Sequence, residues 1–184
     1  MKKALFVGSF NPITLAHEKI VKDLIKENII NYVYFLPVNS NKIDLISIDN
    51  RINMINLIKT KKIDVLNIYN YSKDGLFNFD VLQNIDLNIT HIIMGSDLFF
   101  KFKTFKNYQD ILNNYYIIVI NRDKNTLEYI NNNYKEYLDK IIFINKTYDG
   151  SSNKAKELLK SNSNSNIYLN NKVLDYIKNN NLYN

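Results

Sequence analysis

Along the chain, short apolar runs of strand length alternate with longer stretches whose apolar positions recur at helical spacing. The runs cover residues 4–7, 33–38, 65–68, 91–94, 115–120 and 141–144. Because they are continuous rather than alternating, they predict strands buried on both faces. Between them, Ile20 pairs with Leu24 and Val21 with Ile25 at i, i+4, while Ile52, Ile55 and Ile58 mark a second helix. Further helices are predicted over 80–85, 108–112, 126–138, 154–160 and 172–178. A β-α-β-α order needs crossover connections, so the fold class is α/β, with a doubly wound, mainly parallel sheet of about five or six strands. Residues 1–184 read as a single domain, and 151–184 as its small C-terminal helical part. In such sheets ligands bind beyond the carboxyl ends of the strands.

Composition narrows the chemistry. The 184 residues are 46% hydrophobic and 23% charged, enough for one domain with a full core. Cys is absent, which excludes a disulfide framework, a thiolate zinc site and a cysteine nucleophile, and fits a reducing, cytoplasmic setting. Two histidines argue against a multi-histidine metal centre. No transmembrane segment or secretory signal is read, so a membrane partner is not expected. The formal net charge of +6 rests on 22 lysines, with only Arg51 and Arg122 as arginines. No arginine-rich or aromatic-interleaved stripe accompanies it, so nucleic acid is not an expected partner either. The polar run 161–166 predicts a surface loop before the last helix.

Two clusters carry the candidate chemistry. The first, Gly8-Ser9-Phe10-Asn11-Pro12-Ile13-Thr14-Leu15-Ala16-His17, follows the first strand and opens the first helix. Gly8 lacks a Cβ, so a phosphate can approach the backbone there, and a helix N-terminus just beyond offers amides and a positive dipole end. Thr14 and His17 share one face if they lie in the first turn. The same residues equally suit a plain turn with His17 decorating a helix. The second cluster, Asp149-Gly150-Ser151-Ser152-Asn153-Lys154-Ala155-Lys156, also joins a strand to a helix. Its serines can cap that helix or meet a phosphate, with Lys156 one turn in.

In this order and at these ends of the chain, the clusters resemble the nucleotidyltransferase superfamily with an HxGH-type motif near the N-terminus and an SSTxxR-type motif near the C-terminus. Three further stretches resemble its nicotinate mononucleotide adenylyltransferase branch. Met94-Gly95-Ser96-Asp97 is similar to that branch's GAD, with Phe105-Lys106 where it has Trp-Lys. Phe35-Leu36-Pro37-Val38, Lys42 and Arg51-Ile52-Asn53-Met54 resemble its strand, lysine and R-x-x-M helix. Val173-Leu174-Asp175-Tyr176-Ile177 with Leu182-Tyr183 resembles its ending. The chain departs from the pattern at Thr14, Ala16, Asn153 and Lys156, which stand for histidine, glycine, threonine and arginine; Asn78 takes a usual threonine place.

The resemblance implies a Rossmann-like fold and adenylyl transfer from ATP to nicotinate mononucleotide, giving deamido-NAD and pyrophosphate, with Mg²⁺ carried by the ATP. It implies that Gly8, Ser9, Phe10, His17, Ser151, Ser152 and Lys156 bind ATP, with His17, Thr14 and Lys156 in catalytic roles. Lys42, Asn78, Asp97 and Phe105 are implied for the acceptor: its phosphate, its ribose and its ring. His91 reads as structural, Arg51 as helix packing and Arg122 as a phosphate contact. Two alternatives stay open in the sequence. One is a pantetheine-phosphate adenylyltransferase, the branch in which threonine is usual at the place of Thr14. The other is a non-catalytic nucleotide-binding module. A homo-oligomer is compatible with either.

Overall fold

The computed structural model describes residues 1–40, 44–161 and 167–183. Six strands, β1 (Lys3–Gly8), β2 (Tyr32–Pro37), β3 (Ile63–Val65), β4 (His91–Gly95), β5 (Tyr116–Ile120) and β6 (Ile141–Ile144), form one sheet in the order β3-β2-β1-β4-β5-β6. Every pairing is parallel. The chain winds outward from β1 to β3, then crosses to β4 on the other side of β1. The order therefore reverses between β1 and β4, the point at which a crevice opens above an α/β sheet.

Alternation along β1 divides the core in two. Ala4 and Phe6 face α1 (Leu15–Lys26), α2 (Ile48–Asn56), α7 (Ser152–Lys160) and α8 (Asn171–Asn179), through residues such as Val21, Met54, Ala155 and Val173. Leu5 and Val7 face α3 (Phe79–Asn84), α4 (Ser96–Phe99), α5 (Tyr108–Asn114) and α6 (Thr126–Asn133). The strand pattern thus behaves as doubly covered strands must.

Two expected elements differ, and one helix is additional. The third strand pairs as Ile63–Val65 against Val33–Phe35. Ile68 is fully buried but lies in a 3₁₀ turn, Ile68–Asn70, begun by the Asn67 side chain accepting from the Tyr69 amide. A buried isoleucine past a short edge strand mimics strand continuation. The long helix expected over 126–138 ends at Asn133; Tyr134 leaves helical geometry at φ −134°, and a 3₁₀ stretch, Lys135–Lys140, follows. The short α4 was not anticipated. Of the expected loop 161–166, residues 162–166 lie outside the described residues.

The loops above the reversal point are fastened from beneath by Arg51, a side chain that the sequence reading assigned to helix packing. It is 1% exposed. Its Nε donates to the Ile46 carbonyl at 3.2 Å, Nη1 to the carbonyls of Ser9 at 2.9 Å and Val38 at 2.8 Å, and Nη2 to Asn39 Oδ1 at 3.2 Å. One guanidinium therefore ties the loops after β1 and β2 to the entrance of α2. Burial holds its pKa below the ordinary arginine value. Beside it, Asn11 Nδ2 donates to the Asp44 carbonyl at 2.9 Å, and Asn11 Oδ1 accepts from the Tyr183 hydroxyl at 2.8 Å. Burial pushes the Tyr183 hydroxyl above its ordinary 10.0, against the pull of Arg51.

Arg51→Lys should cost about 2–4 kcal/mol of folding stability, because a single ammonium cannot serve four acceptors and unpaired buried carbonyls are expensive. A urea midpoint within error of the parent would contradict this. A raised tyrosine pKa means that the folded chain holds the proton more tightly than the unfolded one. The stabilisation is complete below about pH 10 and is lost as pH climbs towards the folded value. Burial raises Tyr134 as well, and brings Tyr148 to about 12. Stability should therefore fall from about pH 10 upwards, with a shallower slope in Tyr183→Phe, measured as the melting midpoint against pH.

Candidate active site

β1 ends at Gly8, and the chain turns back through Phe10, whose φ is 45°. That conformation folds the Phe10 ring beneath the loop, edge-on to Phe6, Phe35 and His17 at centroid distances of 5.2, 5.1 and 5.2 Å. A Cβ on Gly8 would meet the Phe10 ring at 3.0 Å. The missing side chain thus makes room for Phe10, whereas the sequence reading gave that space to a phosphate. With its ring 2% exposed and packed in the core, Phe10 contributes its backbone to the surface above.

Thr14 is the N-cap of α1 and His17 its third residue, which places them on one face as the spacing requires. The Thr14 amide donates to His17 Nδ1 at 3.1 Å, and Thr14 Oγ1 lies 2.8 Å from the same nitrogen. An Nδ1 that accepts from an amide carries no proton, so the neutral ring bears its proton on Nε2. Thr14 Oγ1 also donates to the Gly150 carbonyl at 3.1 Å, and Ser152 Oγ donates to the Pro12 carbonyl at 2.8 Å. The Leu15 amide reaches the Tyr168 carbonyl at 2.9 Å. The early and late clusters are therefore one assembly. Gly150, at φ 101°, is required here as glycine, since a Cβ would also meet the Tyr168 ring at 2.7 Å.

Above the assembly lies a cavity of about 380 Å³. Gly8, Ser9, Phe10 and His17 line it from the β1 side, Ser151, Ser152 and Asn153 from α7, and Gly95, Asp97 and Arg122 from β4 and β5. Arg122 Nη1 stands 3.6 Å from Asp97 Oδ1, a partly exposed pair. A Cβ on Gly95 would come within 2.5 Å of Asp97 Oδ1 and 3.0 Å of Arg122 Nε, so Gly95 is the space that the pair occupies. A second cavity of about 200 Å³ shares Arg122 and Ser151 with the first. Ala16, Ile20 and Ile120 give it apolar wall, and Lys154 and Asp149 its polar edge.

Not every expected residue reaches this space. Lys156 does not line the cavity; it is buried, and its ammonium pairs with the Asp44 carboxylate. Thr14 is 1% exposed and acts on the cavity through His17. Asn78 caps α3 by accepting from the Val81 amide at 3.1 Å, and Phe105 packs edge-on to Phe77 and Phe102; neither lines the cavity. Lys42 lies outside the described residues. Among the described residues, no group of three or more His, Cys, Asp and Glu side chains is placed to hold a metal, and no helix is long and apolar enough to cross a membrane.

Sequence reasoning missed Asn39, Ser40 and Lys101, which also line the cavity. The Ser40 hydroxyl is buried and has no hydrogen-bond partner among the described residues. Asn39 and Ser40 follow β2 directly, so the rule of carboxyl ends was signal enough to find them. Lys101, just past α4, carries no such mark in the sequence.

Comparison with known proteins agrees with this geometry. The cytidylyltransferase-like family matches residues 5–158. A Fusobacterium nucleatum protein named "Probable nicotinate-nucleotide adenylyltransferase" is 28% identical over 188 residues, covering 97% of each chain. A Buchnera aphidicola protein of the same name is 30% identical over 162 residues, or 81% of this chain and 72% of that one. Among solved structures, the nicotinic acid mononucleotide adenylyltransferase of Plasmodium falciparum, complexed with NaAD, superposes with a TM-score of 0.75 at 24% identity, over 100% of this chain and 98% of that one. The chain belongs to the cytidylyltransferase-like family, and within it to the nicotinate-nucleotide adenylyltransferases.

Proposed function

We propose that this protein transfers the adenylyl group of ATP to nicotinate mononucleotide, releasing pyrophosphate and forming deamido-NAD. The observation that carries the proposal is His17. Its Nδ1 is fixed by Thr14, its Nε2 bears the proton, and its ring lines the same cavity as Ser151 and Ser152. The names and coverage of the relatives support the same reading.

In the reaction a phosphate oxygen of the mononucleotide forms a bond to the α-phosphorus of ATP. The bond from that phosphorus to the bridging oxygen of the β-phosphate breaks, and pyrophosphate leaves with the electron pair. The attacking phosphate is already anionic, so no general base is needed. What the chain supplies is position and charge stabilisation. His17 Nε2–H donates to an α-phosphoryl oxygen, a bond that strengthens as charge gathers there. The backbone from Gly8 to Phe10 and the Ser152 side chain border the triphosphate. Ser152 spends its proton on Pro12, so it acts by fixing the loop rather than by donating. ATP enters as its magnesium complex, and the metal belongs to the substrate.

The second cavity is the size of one base and opens from the first beside Ser151 and Arg122. Its apolar wall suits an adenine face. Ala16, at the usual glycine place, adds a methyl group to that wall. For the acceptor, Asp97 lines the cavity and is assigned the ribose hydroxyls. Lys42 remains the proposed contact for the acceptor phosphate, while Asn78, which caps α3, and Phe105, packed against Phe77 and Phe102, are given no contact with the ring. Ser40, with a buried hydroxyl and no partner among the described residues, is a further donor on that side.

Pyrophosphate release from ATP should depend on nicotinate mononucleotide and be weaker with nicotinamide mononucleotide or phosphopantetheine. A preference for phosphopantetheine would replace the acceptor. ATP binding without release from any acceptor would replace the activity. His17→Ala should lower kcat by about a hundredfold or more, on the order of 3 kcal/mol, with a native circular-dichroism spectrum. Near-normal turnover in that variant would remove the assigned role.

A further inference from the structure

Ser152 lines the cavity, and Lys156 follows it on α7 by four residues, just over one helical turn or about 6 Å. A lysine side chain there has the length to bring its ammonium to the triphosphate. It pairs instead with the Asp44 carboxylate. Its side chain is 8% exposed, against 45% for its partner Asp44. Lys156 holds Asp44 below the usual carboxylate range, chiefly through their hydrogen bond, and Lys160 one turn on adds to the effect. Asp44 is thus anionic at neutral pH.

The segment that carries Asp44 is itself fixed to the first motif. The Asp44 carbonyl accepts from Asn11, the Ile46 amide donates to Asn11 Oδ1 at 3.4 Å, and the Ile46 carbonyl accepts from Arg51. These are backbone attachments, so the carboxylate can change without releasing the loop. The result is a half-exposed anion, held at a set place, occupying a buried cation one helical turn along α7 from Ser152.

We propose that Asp44 is an internal competitor for Lys156: it holds the ammonium away from the cavity in the unliganded protein and yields it to the phosphates when ATP binds. A partly exposed carboxylate is a weak partner, whereas a triphosphate offers several charges in a less hydrated place. The exchange neutralises Lys156 while the site is empty, which spares an unpaired charge beneath α7. It also makes ATP affinity depend on a residue that need not touch ATP. The inference rests on the reading of ATP as donor, and its test is a binding measurement that needs no turnover.

Titration calorimetry with inorganic tripolyphosphate, and with a non-hydrolysable ATP analogue, decides it. Asp44→Asn keeps the hydrogen-bonding shape and removes the charge; it should tighten both ligands about two- to fivefold. Lys156→Ala should weaken both about tenfold. In the Lys156→Ala background, Asp44→Asn should change nothing. Unchanged or weaker binding in Asp44→Asn, an undiminished affinity in Lys156→Ala, or a tightening that persists without Lys156 would each overturn the proposal. Failure of pyrophosphate release with every acceptor would leave these binding results standing and would refute only the reaction.

Discussion

Two hydrogen bonds between residues more than 130 positions apart hold the site together: Ser152 to the Pro12 carbonyl and Thr14 to the Gly150 carbonyl. Each donates a hydroxyl from one helix start to a backbone oxygen of the other motif. Because the acceptors are carbonyls, the link fixes loop position without adding charge to a place meant for phosphates. Thr14 also sets the imidazole through its backbone, since its amide donates to His17 Nδ1 while the hydroxyl proton goes to Gly150. The tautomer, the ring orientation and the joining of the two ends thus follow from one local arrangement. Beneath it, Arg51 serves the adjoining loop carbonyls, so the cavity is bounded by backbone that two separate networks hold.

Much of this is legible in the amino-acid sequence. Continuous apolar runs with helical stretches between them are sufficient for a parallel sheet with both faces covered, and the two clusters sit where strands end. Burial is what the pattern of apolar positions encodes. The misplaced third strand shows the limit. Ile68 is as buried as a strand residue, but an Asn67 side chain turns the backbone first, and apolar content cannot distinguish the two. The helix break at Tyr134 is of the same kind, since a fully buried tyrosine continues the apolar pattern while its backbone leaves the helix.

The site was legible in its chemistry and less so in its mechanics. Gly8 was correctly singled out for lacking a side chain, but the neighbour that needs the space is Phe10. The role of Arg51 is not readable from spacing, because its four acceptors come from two loops, one after β1 and one between β2 and α2. Lys156 was read as facing phosphates from its turn on α7; what the sequence could not show is a carboxylate 112 positions earlier that meets it first. In each case the missing information is a long-range contact, which a one-dimensional pattern does not contain.

The most direct test of the account is a crystal structure of the protein with a non-hydrolysable ATP analogue. It should show the α-phosphate against His17 Nε2, the phosphate chain running past Ser151 and Ser152, and the base against Ala16 and Ile120. A nucleotide bound away from the imidazole, or one held by the early motif with the late serines turned from it, would contradict the claim that both ends of the chain serve one triphosphate.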